Sequence, residues 1–112
     1  MRRSDWWRYG FVGGLLWPLA ALGEVPTFEI DIRNHLFEPA ELSIPANTKV
    51  KLIVNNRDAT PEEFESYELN REKVIMGGAR AIIFVGPLQP GVYPFFGEFN
   101  PKTAQGTIRV EP

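Results

Sequence analysis

Residues 27–54 read TFEIDIRNHLFEPAELSIPANTKVKLIV, and apolar side chains recur there at every second position. In 27–33, Phe28, Ile30 and Ile32 share one side while Glu29, Asp31 and Arg33 share the other. That period is the mark of a half-buried strand. Leu42 and Ile44 alternate with Glu41 and Ser43 in the same way. Pro45-Ala46-Asn47-Thr48 reads as a turn, where Asn47 can take a left-handed conformation. Residues 49–54 alternate again, with Val50, Leu52 and Val54 inward and both lysines outward. Further along, 81–85 is a continuous apolar strand, 89–91 (Gln-Pro-Gly) a turn, 92–96 an aromatic strand and 107–110 a last strand. Pro94 removes a ladder donor, so its strand has an edge or a bulge there. Six or seven short strands separated by turns predict an all-β fold, an antiparallel Greek-key β-sandwich.

Residues 57–73 break the pattern. Thr60 stands three residues before Glu63, which is a capping box, and Pro61 occupies the first helical position. This predicts one short helical turn over 60–66, with Glu62 and Glu65 solvated or favoured by the positive end of the turn. Glu68, Arg71, Glu72 and Lys73 are expected in solvent on the way to the next strand.

The N-terminus has a different composition. Arg2, Arg3 and Arg8 face one acid, Asp5, and an apolar run follows from Tyr9 to Leu22. Ala21-Leu22-Gly23 places small residues at −3 and −1 of a cut after Gly23. These three features describe a secretory signal peptide. The run falls short of the roughly 20 residues of a membrane-spanning helix. The expectation is a signal peptide at 1–23 and one domain at 24–112, exported to the periplasm, with an uncleaved anchor as the alternative. Residues 24–112 carry 9 basic and 13 acidic side chains, a net charge of −4. A chain so charged is a poor partner for nucleic acid. It has no Cys and one His, so no disulfide framework, zinc finger or iron–sulfur cluster can be assembled.

The motifs have an order of their own: Phe37-x-Pro39, Leu42-x-Ile44-Pro45-Ala46, Val50-x-Leu52-x-Val54-x-Asn56, Asp58, Leu88-x-Pro90-Gly91-x-Tyr93-x-Phe95 and Gly106-x-Ile108-x-Val110. Over 26–111 this resembles a small cupredoxin, closest to the EfeO-type cupredoxin-like domain. The runs at 60–73 and 95–106 resemble small periplasmic cupredoxin-like proteins associated with bacterial ferrous-iron permeases. The resemblance implies a periplasmic protein that binds iron or copper, with a membrane iron permease or its periplasmic partners as the recipient. It also places the blue-copper ligands: the Cys, His and Met positions fall on Gly97, Asn100 and Gln105, and the first His position on Glu63, before Phe64. All four differ from the copper set. Blue copper rests on a thiolate and two imidazoles, so a type 1 copper site is excluded by chemistry.

The donors left are few. His35, the sole histidine, sits where the chain leaves the first strand and is the best nitrogen donor. Glu63 and Glu65 offer carboxylates, which suit harder ions such as iron. Asn100 and Gln105 offer amide oxygens, and Glu98 is an acid at the mouth of the same loop. Without metal, the same residues read as a loop histidine, a capping Glu63 and a loop-closing Gln105. No nucleophile triad or phosphate loop can be composed, and catalysis by a histidine base would rest on His35 alone. A ferroxidase role would need a partner as electron sink. The expected function is an exported accessory protein of metal uptake, iron foremost, and the alternative is a metal-free interaction module.

Overall fold

The computed structural model describes residues 24–112, so the expected signal peptide at 1–23 lies outside the described residues. Nine strands follow in order: β1 (Thr27–Arg33), β2 (Leu36–Glu38), β3 (Glu41–Pro45), β4 (Val50–Asn56), β5 (Glu62–Ser66), β6 (Arg71–Ile75), β7 (Arg80–Val85), β8 (Gly91–Gly97) and β9 (Gln105–Glu111). They form a four-stranded sheet, β2-β1-β4-β7, and a five-stranded sheet, β3-β9-β8-β5-β6. The all-β sandwich is as expected, but the sheets are mixed rather than antiparallel. β1 pairs with β4 in parallel, and β3 with β9 in parallel.

Period-2 alternation explains which side chains are inside. Ile30, Ile32, Leu52, Val54, Ile83 and Val85 from one sheet meet Ile44, Phe64, Phe95, Ile108 and Val110 from the other, all buried. Phe64 stacks on Phe95 with centroids 5.0 Å apart, and Phe37 meets Phe95 edge-on at 4.9 Å. Burying each such ring contributes about 1.5–3 kcal/mol. Across the open side of the sandwich, Arg71 Nε donates to Phe84 O at 2.9 Å and ties β6 to β7.

The helical turn expected at 60–66 is absent. That segment is β5, hydrogen-bonded between β8 and β6. Its burial alternates, with Glu62, Phe64 and Ser66 inside and Glu63 and Glu65 half-exposed. A capping box adds about 1 kcal/mol to a helix end. Burying Phe64 in the sheet and satisfying its backbone in two ladders outweighs that. Glu68, Arg71, Glu72 and Lys73 are exposed as expected, but the crossing expected there is the edge strand β6 from Arg71 on. The short β2, not anticipated from sequence, makes a hairpin with β1.

Candidate metal centre

The β1–β2 connection is two residues long, because Arg33 pairs with Leu36. Asn34 and His35 both take positive φ there, 55° and 61°. This puts the exposed imidazole of His35 at the end of the sandwich where β5 begins and β8 ends.

Glu62 is the buried residue of that end, with 1% of its surface exposed. Its Oε1 accepts from Glu63 N–H and Phe99 N–H, both at 2.8 Å. Its Oε2 accepts from Asn100 Nδ2 at 2.8 Å. The Asn100 amide thus turns its donor nitrogen, not its acceptor oxygen, toward this carboxylate. The same nitrogen lies 3.4 Å from His35 Nδ1. Asn100 thus stands between a buried carboxylate and a solvent-facing imidazole. Its backbone is set by the turn after β8, where Asn100 N–H donates to Gly97 O and Ala104 N–H donates to Asn100 O. Asp58 completes the group. It accepts from the backbone N–H of Asn34 at 2.8 Å and of His35 at 2.9 Å, and its Oδ2 lies 3.6 Å from His35 Nδ1. The hydrogen bond from His35, then that from Asn34 and the nearby imidazole, hold its carboxyl below the usual range against the opposing effect of burial.

A second group lies on the outer side of β5 and β6. Carboxylate oxygens of Glu63, Glu65 and Glu72 fall within 4.8 Å of one another. Desolvation, then Glu72 and Glu98, raise the pKa of Glu63, with Glu62 adding to the effect. Desolvation, then Glu72, Glu63 and Glu98, raise that of Glu65. Among the described residues, the ion pairs engage Asp31, Glu38, Glu41 and Asp58, and none reaches Glu62, Glu63, Glu65, Glu72 or Glu98.

The residues picked from sequence therefore separate into two sets. His35 and Asn100 come together, and Glu63 and Glu65 come together on another surface. Gln105 is exposed and donates from Nε2 to Pro101 O at 3.1 Å, closing its own loop. The side chain that meets Gly97 and Asn100 is Glu62, not Glu63. A shift of one residue along a strand turns a side chain to the opposite face. The inward alternation Glu62-x-Phe64-x-Ser66 was the available signal, and the capping box concealed it.

Type 1 copper does not fit this donor set. There is no thiolate, and a Cβ built on Gly97 would lie 2.6 Å from Glu62 Oε2 and 2.9 Å from Ala104 Cβ. What remains is the carboxylates of Glu62 and Asp58, the imidazole of His35 and the Asn100 amide, which turns its nitrogen toward Glu62, with further carboxylates outside.

Among solved structures, the chain resembles auracyanin A, a blue copper protein of Chloroflexus aurantiacus, with 15% identity and a TM-score of 0.69 over 79% of this chain and 100% of that one. It also resembles the metal-binding domain of the Cu(I)-exporting P-type ATPase CopA of Streptococcus pneumoniae, with 15% identity and a TM-score of 0.66 over 77% and 85%. A purple cupredoxin of Nitrosopumilus maritimus matches with 23% identity and a TM-score of 0.58 over 74% and 98%. At these identities the likeness is one of fold. An uncharacterized protein of Rickettsia prowazekii is 46% identical over 82 residues, 73% of this chain, and the match spans 66% of that relative's length. The cupredoxin-like domain model matches residues 10–110. The chain therefore belongs to the cupredoxin-like family, and it does so without the thiolate that makes a type 1 copper site.

Proposed function

We propose that this protein is an exported, periplasmic accessory protein of bacterial metal uptake, with iron as its cargo and a membrane permease or its periplasmic partners as the recipient. The observation that carries the reading is Glu62. Among the described residues, this carboxylate, 1% exposed, has no cationic side chain paired with it, only neutral N–H donors, and it faces an imidazole across one amide. Burying a charge without a counter-charge is costly. A cation between Glu62 Oε2 and His35 Nδ1 would lower that cost. Turning the Asn100 amide would present its carbonyl oxygen in place of its nitrogen. Such oxygen-rich donors suit iron better than they suit cuprous copper. A neutral amide and an exposed imidazole hold an ion loosely, as hand-over requires. The outer carboxylates Glu63, Glu65 and Glu72 support the reading as a cluster of negative charge, without an ion pair among the described residues, that draws cations toward this end.

The test is an anaerobic titration of the protein with Fe(II), Cu(I) and Cu(II), beside Glu62→Gln, His35→Ala and the triple variant Glu63→Gln/Glu65→Gln/Glu72→Gln. Micromolar or tighter binding of Fe(II), weakened by Glu62→Gln and His35→Ala, is the expected result. Binding of none of the three ions would overturn the carrier reading. The metal-free interaction module would then stand, favoured by the three donors that already satisfy Glu62.

A further inference from the structure

We propose that Asp58 is the positioning residue of this site: its carboxylate clamps the β1–β2 turn and so aims His35 at Asn100. The inference rests on the metal-binding reading above for its functional meaning, but its geometry is independent of any ion. A two-residue hairpin turn with both φ values positive ordinarily uses Asn-Gly, because glycine takes that conformation without strain. Here the second position is His35 at φ 61°. A glycine would make the better turn, so what the position gains is an imidazole. The conformation is held from outside the hairpin. Asp58, on the loop after β4, accepts both turn N–H groups at 2.8 and 2.9 Å. Its own backbone is fixed in turn. Asp58 N–H donates to Asn56 Oδ1 at 3.0 Å, and Gly78 N–H donates to Asp58 O at 3.0 Å. Asn56 is buried and donates to Thr60 O and Ile75 O, so the clamp is anchored in the core beside β5. The consequence is an imidazole whose Nδ1 faces both Asp58 Oδ2 and Asn100 Nδ2.

The first measurement is made on the metal-free, isotopically labelled protein by NMR. In the wild type, the Asn100 side-chain NH₂ should show a contact to the His35 ring, and the Asn34 and His35 amides should be protected from exchange. In Asp58→Ala the ring contact and the protection should disappear while the amides of β8 and β9 stay protected. Asp58→Asn keeps the size but leaves one acceptor oxygen for two donors, so it should weaken both signals, and it answers the question if Asp58→Ala does not fold. The second measurement is a cycle of Co(II) affinities. Asp58→Ala should weaken binding about tenfold and have no added effect on top of His35→Ala. A ring contact that survives in both Asp58 variants would overturn the proposal. So would an equal loss of affinity with and without His35. If the wild type binds no Co(II), the metal reading fails, and the ring contact alone still decides the role of Asp58.

Discussion

Glu62 and Gly97 are fitted to each other. A Cβ on Gly97 would lie 2.6 Å from Glu62 Oε2, and that carboxylate is locked by three donors, so it cannot swing aside cheaply. Gly97→Ala should therefore destabilise the protein by about 1–3 kcal/mol, the usual penalty for overpacking, read by urea denaturation. In a Glu62→Ala background the penalty should shrink, because the nearest clashing atoms are gone. An undiminished penalty would show that Ala104, 2.9 Å away, dominates. The outer carboxylates follow a different rule. Glu63 and Glu65 have raised pKa values, with desolvation first and neighbouring acids next. A carboxylate whose folded pKa lies above its unfolded value costs stability as pH rises past the unfolded value, here 4.5. Glu65→Gln should thus stabilise at pH 7, and its advantage should close as pH falls through the window just above 4.5. Asp58 has the opposite sign. Its contribution is present above its unfolded value of 3.8 and is lost as pH falls through the lower folded value. Denaturation midpoints of wild type, Glu65→Gln and Asp58→Asn at several pH values separate the two.

β5 is the element on which the site depends. It carries Glu62 inward, Glu63 and Glu65 outward, and Phe64 into the aromatic stack with Phe95. Glu62 and Phe64 lie two residues apart on the same inward face of a short strand, so core and chemistry share a register. Phe64→Ala should cost about 3–5 kcal/mol by cavity formation, measured by chemical denaturation. It should also weaken cation binding, because Glu62 loses the packing that sets its height against the 97–100 turn. A fully stable Phe64→Ala protein would mean that the strand is held by its ladders and not by its core face. Local sequence favoured a helical start at Thr60-Pro61-Glu62-Glu63, and tertiary packing overrode it, as weak propensities commonly are. The β1–β2 hairpin illustrates the reverse case. Its turn was legible only as the end of a strand, because Asn-His is not the usual pair for such a turn, and the clamp from Asp58 comes from 23 residues away.

At the scale of the molecule, charge is distributed unevenly. Residues 24–112 carry a net −4. Glu62, Glu63, Glu65, Glu72 and Glu98, which form no ion pair among the described residues, gather around β5, β6 and the turn after β8, while Arg33, Arg57 and Arg109 are paired elsewhere. A cation approaching this end meets a field that salt screens over about 10 Å at 0.1 M. The association rate of Co(II), followed by stopped flow, should fall as salt is added. That dependence should flatten in Glu63→Gln/Glu65→Gln/Glu72→Gln. A salt-independent rate in the wild type would remove the outer carboxylates from the path.

Local sequence was enough for the β-sandwich, the inward residues of β1, β3 and β4, the family likeness and the exclusion of a thiolate copper site, but not for β7, read as continuously apolar, where Ile82 and Phe84 face outward. Each of these depends on local alternation, on motif order or on the absence of a side chain. Packing of the two sheets settles that two strand pairs run parallel, that 62–66 is a strand, and that the buried carboxylate is Glu62. The fold alone showed that His35, Asp58, Glu62 and Asn100 meet. The physical reason is that alternation is written within each strand, whereas pairing, register and the approach of loops 23 to 65 residues apart are fixed by which faces must be buried together.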